Sequence, residues 1–218
     1  MKVIVTGVTG MVGEGVMHEC LLDPGVEEIL IVGRRPSGFS HPKLKELIAP
    51  DMFDLSSVES QLSGYDACYF CLGVSSIGMN EADYRHITYD LTVNFAKTLL
   101  ARNPGMTFCY VSGKSTDSSE NGKLMWARVK GKTENDLMKL PFKQVFAFRP
   151  GFMKATEGLK NTLKAYKYVG WLYPLLKIIY PSGTSTLAEV GLAMINVTRY
   201  GYANRILEVQ DIKAAARQ

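Results

Sequence analysis

Apolar residues recur along the chain in short runs that alternate with longer amphipathic stretches. The short runs, rich in β-branched and aromatic residues, predict buried parallel strands at 3–5, 28–32, 44–48, 67–72, 107–111 and 144–148. Apolar residues at helical spacing predict helices at 16–22, 56–62, 80–101 and 126–140. Strands that alternate with helices throughout predict an α/β fold with a doubly wound parallel sheet, the Rossmann fold.

The last third of the chain predicts three further elements. Residues 186–197 predict a helix, 205–209 a final strand and 214–218 a loose tail. At 218 residues with 46% apolar composition, the whole chain is predicted to form a single domain, 1–218.

Composition and charge narrow the classes of function. The net charge is +4, with basic residues scattered among acids, which does not favour a nucleic-acid partner. No apolar stretch reaches the length of a membrane span, and the chain starts directly on a strand, so no signal peptide is predicted. Cys68 and Cys71 lie three residues apart on one strand and therefore on opposite faces. No metal site is predicted, and buried thiols favour a cytoplasmic protein.

Three glycines follow the first strand at the spacing G-x-x-G-x-x-G. Gly7 allows a sharp turn, Gly10 allows the backbone to approach a pyrophosphate, and Gly13 allows the helix to pack closely on the sheet. The amides around Met11 and Val12 then face the phosphate at the positive end of the helix. A glycine-rich turn without a ligand is the alternative, but the position between strand and helix favours dinucleotide binding.

The second strand ends in Gly33-Arg34-Arg35, where NAD enzymes usually carry an acid that binds the adenosine ribose. Guanidinium groups match phosphate oxygens and stack on a flat base. Arg34 is therefore predicted to bind the 2′-phosphate of NADP(H), with Arg35 as its helper. A solvated basic turn is the alternative.

Two further positions are candidates for cofactor contacts. Asp54 and Leu55 come at the start of the predicted helix 56–62, where side chains usually border the adenine, although Asp54 is equally suited to cap that helix. Gly73 follows the fourth strand, and its missing side chain leaves room for the cofactor ribose.

Six ordered motifs carry a family resemblance over residues 2–151: TGVTGMVG, GRR, CLG, VSG, ARVKGKTE and RPG. With them, the chain resembles short-chain dehydrogenases/reductases of the atypical or extended, epimerase/dehydratase-like kind. It is similar to the branch that includes the Tat-interacting-protein-like oxidoreductases. The resemblance implies that further residues of these motifs contact the cofactor, namely Thr9, Cys71, Leu72, Pro150 and Gly151.

The resemblance also implies a catalytic Y-x-x-x-K motif, which is degenerate here. Lys130 stands at the lysine position, where it would bond the nicotinamide ribose, but Trp126 stands at the tyrosine position. An indole N–H is no acid or base near neutral pH. The usual catalytic serine is also missing, because Gly113 stands at its position. Ser112, Ser115, a bound water or the substrate itself would have to replace the missing catalytic groups. A core tryptophan and an exposed helix lysine are the alternatives.

In this superfamily, the segment after the sixth strand usually covers the substrate. Residues 152–204 are accordingly predicted to cover a substrate or to form an interface, with 166–180 as the most apolar part. Core packing and a homodimer surface are the alternatives for that part.

Two functions are consistent with these observations. One is an NADP(H)-dependent oxidoreductase or epimerase that acts on a small, partly apolar carbonyl substrate. The other is a non-catalytic NADP(H)-binding sensor or interaction protein with an unknown protein partner, which the missing tyrosine favours.

Overall fold

A computed structural model describes residues 1–161, 173 and 179–218. Its nine strands in this part of the chain are β1 Lys2–Thr6, β2 Glu28–Gly33, β3 Leu44–Ile48, β4 Ala67–Phe70, β5 Thr107–Val111, β6 Gln144–Phe148, β7 Phe152–Lys154, β8 Thr184–Thr186 and β9 Ile206–Leu207. Seven of them form one sheet in the order β3-β2-β1-β4-β5-β6-β9, and every pairing in it is parallel. The remaining two, β7 and β8, form a small parallel pair.

Helices connect the strands. The described helices are α1 Met11–Leu22, α2 Glu81–Arg85, α3 Leu91–Arg102, α4 Met125–Leu137, α5 Leu187–Tyr200 and α6 Val209–Ala215. A π-helical turn, His86–Asp90, joins α2 to α3, and two short 3-10 turns cover Glu59–Leu62 and Pro181–Gly183.

The sheet has a separate hydrophobic core on each face. Val3 and Val5 of β1 point into one core, which α1, α5 and α6 cover. Ile4, between them, points into the opposite core with Phe95 of α3 and Leu137 of α4. Alternation along a strand that is buried on both sides produces this pattern. The predicted doubly wound parallel sheet is therefore confirmed.

The predicted strands agree closely with the observed ones. β3, β5 and β6 have the predicted bounds, whereas β4 ends at Phe70, two residues earlier than predicted. Cys68 and Cys71 do lie on opposite faces, and burial raises the pKa of both thiols. No described group of His, Cys, Asp or Glu residues has the arrangement of a metal site.

Three predicted elements are corrected. The helix at 56–62 is only the 3-10 turn Glu59–Leu62, and the single helix at 80–101 contains the π-helical turn. The loose tail at 214–218 is wrong, because α6 extends to Ala215 and buries Ile212 against the core. The most apolar part of the predicted covering segment, 166–180, lies outside the described residues except at Tyr173, Ile179 and Tyr180.

Candidate functional site: a dinucleotide cleft

The glycine loop lies at the carboxyl ends of β1 and β4, where the strand order of the sheet reverses. In doubly wound folds, ligands bind in the crevice at this point. Gly7 has φ +71°, and a Cβ there would come within 2.7 Å of the Cys71 carbonyl oxygen. A Cβ at Gly13 would come within 2.2 Å of the Gly7 carbonyl oxygen. These two glycines therefore allow β4, the loop and α1 to pack together.

Gly10 differs from the other two glycines because its free side faces open space. A Cβ there would meet only the Gly7 carbonyl oxygen, at an ordinary contact distance of 3.4 Å. Gly10 is also the N-cap of α1, and no side chain among the described residues caps this helix. The first amides of α1, at the predicted positions Met11 and Val12, therefore start the helix without a side-chain acceptor. An uncapped helix N-terminus beside an open glycine fits a pyrophosphate.

A cleft of about 650 Å³ opens beside this loop. It is lined by seven of the residues predicted to contact the cofactor: Gly7, Thr9, Gly10, Arg34, Cys71, Leu72 and Gly73. A Cβ at Gly73 would meet no atom within 4 Å, so this position leaves open space next to the cleft. The volume is within the usual range for small-molecule and cofactor sites.

The structure places the two predicted adenine neighbours elsewhere. Leu55 is buried in the core on the α3 face, and Asp54 is exposed, with its carboxylate accepting a hydrogen bond from the Ser56 amide at 3.0 Å. The wall of the cleft is formed instead by Asp51, Met52 and Phe53, three residues earlier. Asp54 and Leu55 therefore do not line this cleft, and their contact with a cofactor stays a prediction.

Phe53 is a part of the cleft that the sequence did not reveal. Its ring stacks on His86 of the π-helical turn, with centroids 4.4 Å apart and planes 9° from parallel. The Asn94 side chain donates a hydrogen bond to the Phe53 carbonyl oxygen at 2.6 Å. Ile87 of the same turn also lines the cleft. The π-helical turn thus supplies one wall and the support for Phe53.

A second cavity of about 420 Å³ lies between the glycine loop and the end of β2, and both Arg34 and Arg35 line it. Both arginines are exposed. Within residues 1–161, 173 and 179–218, neither forms an ion pair. The nearby carboxylate of Glu46 accepts a hydrogen bond from the Ser37 amide at 2.6 Å. Two guanidinium groups are therefore available to an anion.

Lys130 of α4 lies against Ser112, which directly follows β5. The Lys130 ammonium donates a hydrogen bond to the Ser112 carbonyl oxygen at 2.5 Å, and burial lowers the pKa of Lys130 to about 8. The Ser112 hydroxyl is buried and donates to the Phe148 carbonyl oxygen at 3.1 Å. This hydroxyl is thus bonded to the sheet instead of facing a ligand.

Trp126, Pro150 and Gly151 share a third cavity, of about 490 Å³. Trp126 is half-buried, so its ring forms part of the wall of this cavity. Gly151 has a packing role as well, because a Cβ there would come within 2.1 Å of the Gly183 carbonyl oxygen. Trp126 of α4 and the Pro150-Gly151 pair of the RPG motif therefore line one cavity.

A buried ion pair fixes α4 against the end of β6. Arg149 donates through two nitrogens to both carboxylate oxygens of Glu134, one turn after Lys130. The same guanidinium bonds the Ser118 hydroxyl at 2.6 Å and the Glu208 carboxylate at 3.2 Å. Glu134 is buried, and its negative charge partly offsets the effect of burial on the pKa of Lys130.

Comparison with known proteins finds a family model that matches more than half of the chain. Residues 3–121 match the family described as the NAD dependent epimerase/dehydratase family. In the part of the chain that the structure describes, no helix is long and apolar enough to cross a membrane.

One relative is Protein FMP52, mitochondrial, from Candida albicans. It is 27% identical over 200 residues, which cover 86% of this chain and 86% of the relative. The name places this relative in mitochondria and contradicts the prediction of a cytoplasmic protein, which is therefore wrong.

Two solved structures share the fold. The ADP-L-glycero-D-manno-heptose-6-epimerase of Helicobacter pylori superposes with a TM-score of 0.70 at 12% identity, covering 99% of this chain and 80% of the other. A structure from Agrobacterium tumefaciens with bound NADP has a TM-score of 0.64 at 14% identity, covering 98% and 96%. Both NAD and NADP thus occur among the family and its structural neighbours.

Proposed function

Since the chain belongs to the NAD dependent epimerase/dehydratase family, we propose that it is an NADP(H)-dependent reductase of a small, partly apolar carbonyl compound. The observation that carries the proposal is the pair Arg34 and Arg35. Both line a cavity beside the glycine loop, and neither is neutralised by a described acid. A 2′-phosphate between two guanidinium groups would gain charge-assisted hydrogen bonds that a ribose hydroxyl cannot offer.

The residues of the cleft fit the other parts of a dinucleotide. The uncapped amides of α1 and the open side of Gly10 would bind the pyrophosphate, and the wall of Met52 and Phe53 would hold the adenine. Lys130, already turned toward the loop after β5, would hold the nicotinamide ribose. The bound nicotinamide supplies a hydride to a carbonyl carbon.

The cavity around Trp126 supports the substrate class. Its wall combines aromatic rings with the backbone of Gly113 and Gly151, and its volume of about 490 Å³ suits a small ligand. Aromatic walls favour an apolar substituent, whereas the carbonyl oxygen requires a hydrogen-bond donor in the same cavity.

A non-catalytic sensor of NADP(H) is the second candidate function. It is favoured by Trp126 at the tyrosine position and by the Ser112 hydroxyl, whose hydrogen bond goes to the Phe148 carbonyl oxygen. In this function, cofactor binding would change a surface that a protein partner contacts.

An NADPH-oxidation assay separates the two functions. The purified protein is mixed with NADPH and a panel of aliphatic aldehydes, diketones and quinones, and the loss of NADPH absorbance is followed. A reductase should turn over at least one compound at about 1 s⁻¹ or faster, the low end of typical enzymes. Tight NADPH binding without turnover of any compound would overturn the reductase and favour the sensor.

A further inference from the structure

The cavity around Trp126 contains a tyrosine from a distant part of the chain. Tyr180 precedes the 3-10 turn Pro181–Gly183 and lines the same cavity as Trp126 and Ser115. It is 54 positions away from Trp126 along the chain and belongs to no motif. The fold thus brings the phenol of Tyr180 to a cavity where helix α4 contributes Trp126 and no tyrosine.

Several contacts hold the turn that carries Tyr180. The Lys114 ammonium donates a hydrogen bond to the Ser182 carbonyl oxygen at 3.0 Å, and the Lys213 ammonium donates to the Pro181 carbonyl oxygen at 2.7 Å. The Lys114 amide in turn bonds the Pro150 carbonyl oxygen at 3.0 Å. The turn is therefore connected to the loop after β5 and to the end of β6.

The ring of Tyr180 is positioned from both sides. A Cβ at Gly183 would lie 1.8 Å from Cε1 of Tyr180, so the ring packs directly on this glycine. The Lys114 nitrogen lies 4.3 Å from the centroid of the ring, a cation–π contact. Tyr180 nevertheless keeps 47% of its surface exposed, which leaves access to solvent protons.

The other hydroxyl groups of the cavity are weaker candidates for proton transfer. Thr184 is buried, and its hydroxyl donates to the Tyr180 carbonyl oxygen at 3.5 Å. Ser115 is exposed and has φ +70°. An alkyl hydroxyl is also a much weaker acid than a phenol, which makes tyrosine the better donor to a carbonyl oxygen.

We propose that Tyr180 is the catalytic proton donor of this site and takes the place of the tyrosine that Trp126 replaces. The inference rests on the proposed reductase function. As the hydride from NADPH bonds to the carbonyl carbon, the C=O π bond breaks and the oxygen takes the phenolic proton of Tyr180. Solvent then returns a proton to the phenolate, so one NADPH and one proton reduce one carbonyl to an alcohol.

Tyr180→Phe tests the proposal, because it removes one oxygen and keeps the ring on Gly183. We expect kcat to fall by about 10²–10⁴, the usual contribution of a positioned proton donor, with NADPH affinity unchanged. Tyr200→Phe is the matched control, since Tyr200 is a tyrosine at the end of α5 with 67% exposure. It should leave kcat unchanged, and Ser115→Ala should lower it by less than tenfold.

A second measurement needs no turnover. Isobutyramide offers a carbonyl oxygen that a reductase cannot reduce, and its binding to the NADPH complex is followed by NADPH fluorescence. Loss of the Tyr180 hydroxyl should weaken this binding about tenfold, as expected for one lost hydrogen bond.

The two measurements distinguish the failure of each proposal. Turnover by the wild type that Tyr180→Phe leaves intact would overturn the role of Tyr180 and keep the reductase. Amide binding that depends on Tyr180, without any turnover, would support the position of the hydroxyl and overturn the reductase. A wild type that shows neither turnover nor amide binding would overturn both.

Discussion

The glycine loop offers a matched pair of substitutions whose outcomes should be opposite. Gly13→Ala adds a methyl group 2.2 Å from the Gly7 carbonyl oxygen and 2.4 Å from its carbonyl carbon. Gly7 cannot shift away from this methyl group, because it already packs against the Cys71 carbonyl group. Gly10→Ala adds the same methyl group where the nearest atom is 3.4 Å away and the backbone is extended, with φ −108°.

The expected cost of Gly13→Ala follows from these distances. Overpacking a tight site costs about 1–3 kcal/mol. Alanine in a helix recovers about 0.5–1 kcal/mol relative to glycine. Because the added methyl group meets backbone atoms at 2.2 Å, the cost should be near the upper value. The net loss should therefore be about 2 kcal/mol in the free energy of unfolding, and the displaced loop should no longer bind NADPH. Gly10→Ala should change the free energy of unfolding by less than about 0.5 kcal/mol and lower the affinity for NADPH by at least tenfold.

Urea unfolding followed by circular dichroism measures the first quantity, and an NADPH fluorescence titration measures the second. Gly10→Val extends the series, and it should abolish binding while the chain remains folded. A Gly13→Ala variant as stable as the wild type would refute the close packing of the loop. Normal NADPH binding by Gly10→Val would show that the pyrophosphate binds elsewhere.

Three further predictions concern helix α4. Glu134→Gln should lower the free energy of unfolding by about 3–5 kcal/mol, because it leaves Arg149 buried without its main partner. Glu208→Gln, at the exposed end of the same network, should lower it by only about 1 kcal/mol. Equal losses for the two variants in urea unfolding would refute this difference. Burial lowers the pKa of Lys130 to about 8, so NADPH affinity should decline as the pH rises through that value and the ammonium is lost. Titrations of Lys130→Ala should show weaker and pH-independent binding, and unchanged affinity would show that Lys130 does not reach the cofactor. Trp126→Tyr should raise NADPH-dependent reduction of a diketone only if the protein is a binder without its own proton donor; under the reductase proposal it should help little or harm.

The sequence was sufficient for the parts of the fold that depend on local patterns. β5 and β6 are mostly apolar runs bounded by turns. Because a strand that is buried on both faces needs apolar residues throughout, its ends can be read from the points where the apolar run stops. The spacing of Gly7, Gly10 and Gly13 likewise identified the loop, because Gly7 and Gly13 each stand where a side chain would collide with the backbone.

The cleft wall of Asp51, Met52 and Phe53 shows why a local pattern was insufficient elsewhere. Asp51 and Asp54 are each followed by an apolar residue, and each carboxylate accepts a hydrogen bond from the amide two residues later. Met52 and Leu55 are both buried in the core on the α3 face, so it is the contacts of Phe53 with His86 and Asn94 that place the earlier segment along the cleft. Such a choice depends on contacts with α3 that no short window of sequence contains.

Tyr180 shows the same limit over a longer range. Its place beside Trp126 depends on Gly183, Lys114 and the end of β6, which lie far apart along the chain. Helix α6 was missed for a related reason, because it is short and gains its stability from burying Ile212 against the core.

The most direct test of the account is a calorimetric titration of the wild type and Arg34→Ala with NADPH and with NADH. The wild type should bind NADPH at least tenfold more tightly than NADH. Arg34→Ala should weaken the binding free energy of NADPH by about 1.5–3 kcal/mol, the value of a hydrogen bond to a charged group. The binding of NADH should be nearly unchanged. Binding of NADH by the wild type that equals or exceeds that of NADPH would contradict the account.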